Sequence, residues 1–367
     1  MDDQQLFNTL RLLKIEQVGT IFRTKLLQRF QDVNAIFEAS EKELMSVEGL
    51  GAKRAKFIRG TLDENWIRNE MSFIKNEGIQ VLNWNDDAYP FALKNIDDPP
   101  AILFLKGIIP TNDRNIAMIG TRNITDYGRS MTEHIIQDLQ SYKPNIISGL
   151  AYGVDAAAHK LSLQYHLPTC AVLAHGLDVI YPPTHLNLAK EIIHHNGCLI
   201  TEYPTKTIPE KGNFPLRNRI VAGMSQATIV VETDIKGGSM ITAKLAASFN
   251  REVFAVPGRV NDRYSRGCNY LIEVQIARIL NSGKDVVEML NWDLDTSKKV
   301  IQPKLFQREF STQEQVIMQL LNEKATMHID EISLKSKISD SELSMLLLSL
   351  EFEQIIKAMP GKIFALK

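Results

Sequence analysis

Between residues 116 and 256 the chain gathers its apolar residues into short runs: Ile116 to Ile119, Ile146-Ile147, Cys170 to Ala174, Leu199-Ile200, Thr228 to Val231 and Val253 to Val256. Each run is too short for a core helix, and several are β-branched, which suits a pleated strand. The stretches between them have helical spacing instead, as at Tyr127, Met131, Ile135 and Leu139, or in the alanine-rich segment from Asp155 to Leu163. A strand with one wet face alternates apolar and polar residues, whereas a strand apolar throughout is covered on both faces. Such strands, separated by helices, predict an α/β fold with an extended Rossmann-like, doubly wound parallel sheet. Ligands of such sheets bind beyond the carboxyl ends of the strands.

Glycines fall at those ends. They occur in Ile119-Gly120-Thr121-Arg122, Ser148-Gly149-Leu150-Ala151-Tyr152-Gly153, Ala174-His175-Gly176-Leu177-Asp178, Lys236-Gly237-Gly238-Ser239-Met240 and Pro257-Gly258-Arg259. One glycine there is an ordinary tight turn. A succession of them on one edge predicts a floor of open backbone N–H groups with helix N-termini behind it, a surface that favours phosphate. Neither standard phosphate motif fits: no Gly-x-Gly-x-x-Gly follows the first strand, and no Lys-Ser/Thr pair follows Gly237-Gly238-Ser239. No cofactor is expected. His194-His195-Asn196-Gly197-Cys198 resembles a metal site only superficially, because adjacent histidines on a helix point apart, so no metal is expected either.

Around this centre the chain divides into residues 1–75, read as short helices of helix-hairpin-helix type; 78–290, the Rossmann-like part; a polar, basic linker at 291–309; and a small third unit at 310–367. In the first part, Gly49-Leu50-Gly51 opens a helix carrying Lys53, Arg54 and Lys56, the pattern of hairpins that offer N–H groups to DNA phosphates. The last part reads helix, helix, helix, hairpin, which is winged-helix order. Its third helix carries Glu342, Glu351 and many leucines, where a DNA-reading helix would be basic, so protein contacts or regulation are expected of it. The net charge of −1 argues against wrapping nucleic acid over the whole surface and turns attention to one local basic pocket. No apolar run approaches the roughly 20 residues of a membrane helix. The acidic start Met1-Asp2-Asp3 does not look like a secretory leader, and three scattered cysteines suit free, buried thiols in a reducing cytoplasm.

In order, the chain then carries Ile119-Gly120-Thr121-Arg122 with Tyr127-Gly128; Ser148-Gly149-Leu150-Ala151-Tyr152-Gly153-Val154-Asp155 with Ala158-His159; Gly176-Leu177-Asp178 with Tyr181-Pro182; Phe214-Pro215-Leu216-Arg217-Asn218-Arg219; Gly238-Ser239-Met240-Ile241-Thr242-Ala243 with Phe254 to Gly258; and Gly267-Cys268-Asn269 with Leu271-Ile272. This ordered set resembles the DNA-processing protein A (DprA/Smf) family of bacterial recombination mediators. The resemblance implies a homodimer that binds single-stranded DNA, protects incoming DNA and loads the RecA recombinase in natural transformation. It departs from the family at His175, where glycine is frequent, and at Pro183-Thr184, where some members carry a lysine.

Two readings stand beside each candidate residue. Arg122, aimed by a Gly-Thr turn over the floor, holds a phosphate or pairs with a carboxylate such as Asp126. Phe214, within the acid-free stretch Lys211 to Arg219, stacks a base or anchors its loop in the core. Arg217 and Arg219, two apart on a helix, cannot share a face. Arg217 and Asn218 are assigned to the ligand, and Arg219 to an ion pair in the fold. Ser239 caps the helix from Met240 or, with Gly238 and Thr242, takes a phosphate oxygen. Resemblance favours the ligand reading throughout, giving a DNA site of Gly120, Thr121, Arg122, Ser148, Gly149, Gly153, Gly176, Lys211, Phe214, Arg217, Asn218, Gly238, Ser239 and Thr242. The apolar stretch Leu271 to Leu280, with Ile272, Val274, Ile276 and Ile279, is the candidate dimer face.

Asp155 and His159 share a helix face, but no nucleophile or second carboxylate completes a catalytic set, so no enzyme is expected. A competing reading from another class is a Rossmann enzyme that cleaves nucleoside monophosphates. Its usual Pro-Gly-Gly-x-Gly-Thr loop and nearby glutamate are missing here, and Glu232, ahead of the loop, is a poor substitute.

Overall fold

A computed structural model describes residues 1–60, 64–110, 113–292, 310–324, 326–353, 355–359 and 362–366. Most of the linker expected at 291–309 lies outside the described residues. The remainder divides into a compact unit within Met1–Leu294 and a second within Asp295–Lys367.

Helices α1 (Asp3–Lys14), α2 (Thr20–Phe30), α3 (Val33–Glu38), α4 (Glu41–Met45), α5 (Gly51–Arg59) and α6 (Glu64–Asn76) come first. Capping boxes start two of them: Asp2 with Gln5 on α1, and Ser40 with Glu43 on α4. Their apolar faces enclose Leu10, Leu27, Ile36, Ile58 and Ile67, and the same cluster takes in Val81, Ile102 and Phe104 from the first two strands. The helical part is thereby packed into the same unit as the sheet.

That sheet has nine strands: β1 (Gln80–Asn83), β2 (Ile102–Gly107), β3 (Asn115–Ile119), β4 (Asn145–Ser148), β5 (Thr169–Val172), β6 (Cys198–Thr201), β7 (Ala227–Val230), β8 (Glu252–Ala255) and β9 (Arg278–Ile279). Their order is β1-β2-β6-β5-β4-β3-β7-β8-β9. From β6 to β9 every pairing is parallel, but β2 runs antiparallel to β6 and to β1. The expected parallel sheet thus carries a two-stranded antiparallel extension. The β1–β2 link holds only the four-residue helix α7 (Phe91–Lys94), too little for the crossover that parallel pairing needs.

Helices α8 (Asp126–Leu139), α9 (Val154–Gln164), α10 (Leu186–His194), α11 (Asn213–Gly223), α12 (Gly238–Ser248), α13 (Arg266–Glu273) and α14 (Gly283–Met289) cover both faces. Alternate residues of one strand go to opposite cores. Ala117 and Ile119 meet Val221, Met240 and Leu271 from α11, α12 and α13. Ile116 and Met118 meet Ile135, Val154 and Val286 from α8, α9 and α14. From β3 the chain steps through β4 and β5 to β6 on one side, then returns to lay β7, β8 and β9 on the other. The loops after β3 and β7 diverge there, the place where doubly wound sheets open a crevice.

The second unit holds α15 (Thr312–Glu323), β10 (Met327–His328), α16 (Ile329–Ser336), α17 (Asp340–Phe352), β11 (Ile356–Met359) and β12 (Ile363–Leu366), with sheet order β10-β12-β11. This is a winged helix. Met345 and Leu348 on α17 are exposed. Among the described residues, no helix is long and apolar enough to cross a membrane. Cys170, Cys198 and Cys268 are unpaired and buried.

His159 is fully buried on α9. The Thr169 hydroxyl donates to Ile146 O at 2.7 Å and lies 2.7 Å from His159 Nδ1. That oxygen therefore accepts from Nδ1–H, and Nε2 is left bare with no partner. Burial, with the nearby charges of His185 and Arg217, lowers the pKa to about 3. The native state keeps this imidazole neutral while the unfolded chain takes up a proton below its ordinary value near 6.5. Its contribution is therefore complete above pH 6.5 and lost as pH falls toward 3. Urea unfolding should show a loss of about 2 kcal/mol from this group between pH 7.5 and pH 5. His159→Gln should remove that increment, whatever its own stability; an unchanged pH dependence would assign the loss to other groups.

Candidate functional site

At the crevice lies a cavity of about 370 Å³, lined by the loops after β3, β4, β7 and β8 and by the first turns of α11 and α12. Each loop is held from beneath. Thr121 N donates to Glu232 O at 2.7 Å, and Thr125, the N-cap of α8, donates its N–H and hydroxyl to the Glu232 carboxylate at 2.9 and 2.5 Å. The loop after β4 is held by Asp155, whose Oδ2 accepts from Gly149 N at 3.1 Å and Ala151 N at 3.2 Å. Gly153 stands at φ 78° and Val154 N donates to Thr121 O, joining the two loops.

Below Gly149 runs Arg217, 4% exposed. Its Nη1 donates to Gly149 O at 2.7 Å and also to Val172 O. A Cβ on Gly149 would strike the guanidinium. Burial pushes the Arg217 pKa down and the Asp155 pKa up, and each is opposed by the other's charge. Arg219 serves the fold alone: Nη1 and Nη2 donate to the two Glu202 oxygens at 2.7 and 2.8 Å, and Nε to Asp98 at 3.3 Å. Burial by itself would lower its pKa, but Glu202 and then Asp98 outweigh that and raise it.

The mouth is different. Arg122 is exposed, without an ion pair to any described carboxylate, and its guanidinium lies 5.5 Å from the centroid of the Phe214 ring. Phe214 is half-buried and touches Tyr181 at 6.0 Å between centroids. The first turn of α12 starts at exposed Gly238 with no side-chain cap, because its N-cap is Gly237, and Ser239 Oγ donates to Thr233 Oγ1 at 2.7 Å. Two carboxylates line the cavity, Asp155 and Asp234. Asp234 accepts from Arg263 and Arg266, each at 3.0 Å, and the Arg263 bond leads the causes that hold its carboxyl below the ordinary value. Arg122 and Lys236 therefore leave a positive surplus beside open helix N–H groups, an arrangement that holds an anion.

The cavity gathers Gly120, Thr121, Arg122, Gly149, Phe214, Arg217, Asn218, Gly238, Ser239 and Thr242. Four other sequence candidates are not among its lining residues. Ser148 turns its hydroxyl into the sheet to donate to Met118 O at 2.6 Å. Gly176 is packed under the β6 loop, its N–H donating to Thr207 O at 3.1 Å. Gly153 shapes the loop behind, and Lys211 is exposed just before α11. Nor is the glycine floor wholly open, since Asp155 takes two of its N–H groups. Asn123, Asp234, Lys236, Arg263 and Tyr264 line the cavity without having been singled out as ligands. The last two lie in a polar loop after Gly258 that shows no periodicity to mark it.

Elsewhere, Arg54 is committed to its own hairpin, donating to Gln17 O at 3.0 Å and Gly49 O at 3.2 Å, while Lys53 and Lys56 are exposed. Ile279 lies on the edge strand β9, half exposed, with Val274 exposed nearby and Ile272 and Ile276 packed against the core. The Glu232 carboxylate is bonded to Thr125, the N-cap of α8, and is not among the cavity's lining residues.

Comparison with known proteins agrees with this fold. The profile of DNA recombination-mediator protein A matches residues 80–291, and that of the DprA winged helix domain matches residues 305–362. Protein Smf of Synechocystis is 37% identical over 71% of this chain and 66% of its own length. The crystal structure of DNA processing protein A from Streptococcus pneumoniae superposes with a TM-score of 0.67 at 30% identity, covering 77% of this chain and 97% of that one. A DNA processing protein A from Helicobacter pylori, solved for its single-stranded DNA binding mode, gives 0.52 at 31% identity over 58% of this chain and 95% of that one.

The contrast between the two kinds of arginine is testable by unfolding. Arg219→Ala strands a largely buried Glu202 carboxylate and should cost about 3–5 kcal/mol. Arg122→Ala touches a solvated side chain and should stay within about 0.5 kcal/mol of wild type. Equal losses would mean that Arg122 is part of the scaffold.

Proposed function

Because the chain belongs to the DNA recombination-mediator protein A family, we propose that it binds single-stranded DNA in the cavity between the β3 and β7 loops and hands it to RecA without chemistry on the strand. The observation that carries this reading is the pairing of Arg122 with Phe214 at the cavity mouth. A guanidinium holds a phosphate and a ring face accepts a base, which together are what an unpaired nucleotide offers. Lys236 in the lining and exposed Lys211, three residues ahead of Phe214 in sequence, add positive charge. Arg217 and Asn218 form the floor beneath the strand. The single-stranded DNA binding mode of the Helicobacter pylori relative supports the same ligand here. The wider role follows the family resemblance: protection of incoming DNA and RecA loading during natural transformation, in the cytoplasm. Lys53 and Lys56 supply secondary phosphate contacts.

The protein acts as a homodimer joined along β9. An edge strand with exposed apolar residues is an association site, and two-fold pairing is the commonest way to cover one. Sedimentation should give about twice the monomer mass at micromolar concentration. Ile279→Glu, at an exposed position, should halve it with the fold intact; a wild-type monomer would reject the dimer.

Competition at fixed salt should show tighter binding of single strands than of duplex, because stacked bases cannot reach Phe214. Equal affinity would count decisively against the site. Arg122→Ala or Lys211→Ala should each flatten the log–log salt dependence by about 0.7. Phe214→Ala should cost roughly 1–3 kcal/mol with the slope unchanged.

A further inference from the structure

The cavity is flanked by a second ring with its own arginine. Phe214 enters from the first turn of α11 and Arg122 from the β3 loop, whereas Tyr264 and Arg263 come from the loop after β8, beyond β7 in strand order. The Arg263 guanidinium lies 5.6 Å from the Tyr264 centroid, nearly the 5.5 Å of Arg122 over Phe214. Tyr264 is fixed at both ends: its hydroxyl accepts from Asn123 Nδ2 at 3.1 Å, and its carbonyl accepts from Thr233 N at 2.6 Å. The ring is therefore held against the loop that presents Arg122 and against the end of β7. Arg263 is steered by Asp234, but that carboxylate is shared with Arg266, so the group of three keeps one net positive charge. Its side chain is still 72% exposed.

A ring face and a nearby guanidinium are the two things one nucleotide of a single strand needs. We propose that Tyr264 and Arg263 form a second nucleotide subsite, so that a single strand crosses the crevice between two aromatic platforms, each with its own phosphate-holding arginine. This rests on the reading that the cavity binds single-stranded DNA, and it makes the loop after β8 a determinant of how many bases the site immobilises.

The test uses the full chain and oligonucleotides carrying one 2-aminopurine at successive positions, whose fluorescence reports stacking. Tyr264→Ala should weaken binding between about fivefold and a hundredfold with the salt slope unchanged. Tyr264→Phe, which keeps the ring and loses the bond to Asn123, should bind as wild type does. Arg263→Ala should flatten the slope by about 0.7. In the wild type two positions should respond to stacking, one lost in Phe214→Ala and a different one lost in Tyr264→Ala. The proposal is overturned if Tyr264→Ala binds like wild type, or if Tyr264→Phe is as weak as the alanine variant, since the residue would then act only by holding Asn123. In either case a loss in Phe214→Ala leaves the cavity itself standing. Absence of binding by wild type would instead reject the reading beneath it.

Discussion

The guanidinium of Arg217 is the constraint on which the site depends. It reaches from α11 under the ends of two neighbouring strands and donates to Gly149 O and Val172 O. A charged group so nearly excluded from water is tolerated only where its hydrogen bonds and a compensating charge are present. The carbonyls supply the first and Asp155 the second. Asp155 in turn accepts two N–H groups of the same loop. Loop, helix and strand ends are therefore joined by one connected set of bonds, with Arg217 Nε left without a partner among the described residues. Position 149 admits only glycine because the guanidinium occupies the space of a side chain, and Gly153 lets the chain turn at positive φ toward the β3 loop.

Much of this was legible in the sequence, for a physical reason. Strands buried on both faces must be apolar throughout, so β3, β4, β7 and β8 stood out as short runs, and their tight ends required glycine. Arg122 follows directly from such an end, and Phe214 stood out within the acid-free stretch Lys211 to Arg219. The ordered motifs between Ile119 and Ile272 also placed the chain beside its family. Other features depend on contacts distant in sequence. The antiparallel β1–β2 pair packs on a helical cluster that reaches back to Leu10 and Leu27, more than fifty residues upstream. Ser148 and Gly176 look like floor residues by position, yet strand register sends one hydroxyl to Met118 and one N–H to Thr207. Tyr264 joins the site through partners distant in sequence: its hydroxyl accepts from Asn123, 141 positions away, and its carbonyl from Thr233 N.

The same contacts explain how a chain of net charge −1 presents a positive crevice. The acids nearest the crevice loops are turned to backbone donors. Asp155 holds the β4 loop, Glu232 the β3 loop through Thr125, and Glu70 of α6 the β6 loop through the N–H and hydroxyl of Thr205. Asp178 takes the next N–H, that of Lys206. Asp155, Glu70 and Glu232 are each at least nine-tenths buried, so they contribute hydrogen bonds to backbone donors at short range while Arg122 and Lys236 remain unpaired at the mouth. Charge-assisted bonds of this kind are the stronger ones and fix the loops before any ligand arrives. Glu70 also extends the scaffold beyond the sheet. The helical part grips the loop that leads to Lys211 and Phe214, so the approach to the Phe214 ring is set jointly by both halves of the first unit. A loosened α6 would release Thr205 and, with it, the approach to α11. This ties the helices to the crevice loops even with Arg54 turned inward to its own hairpin.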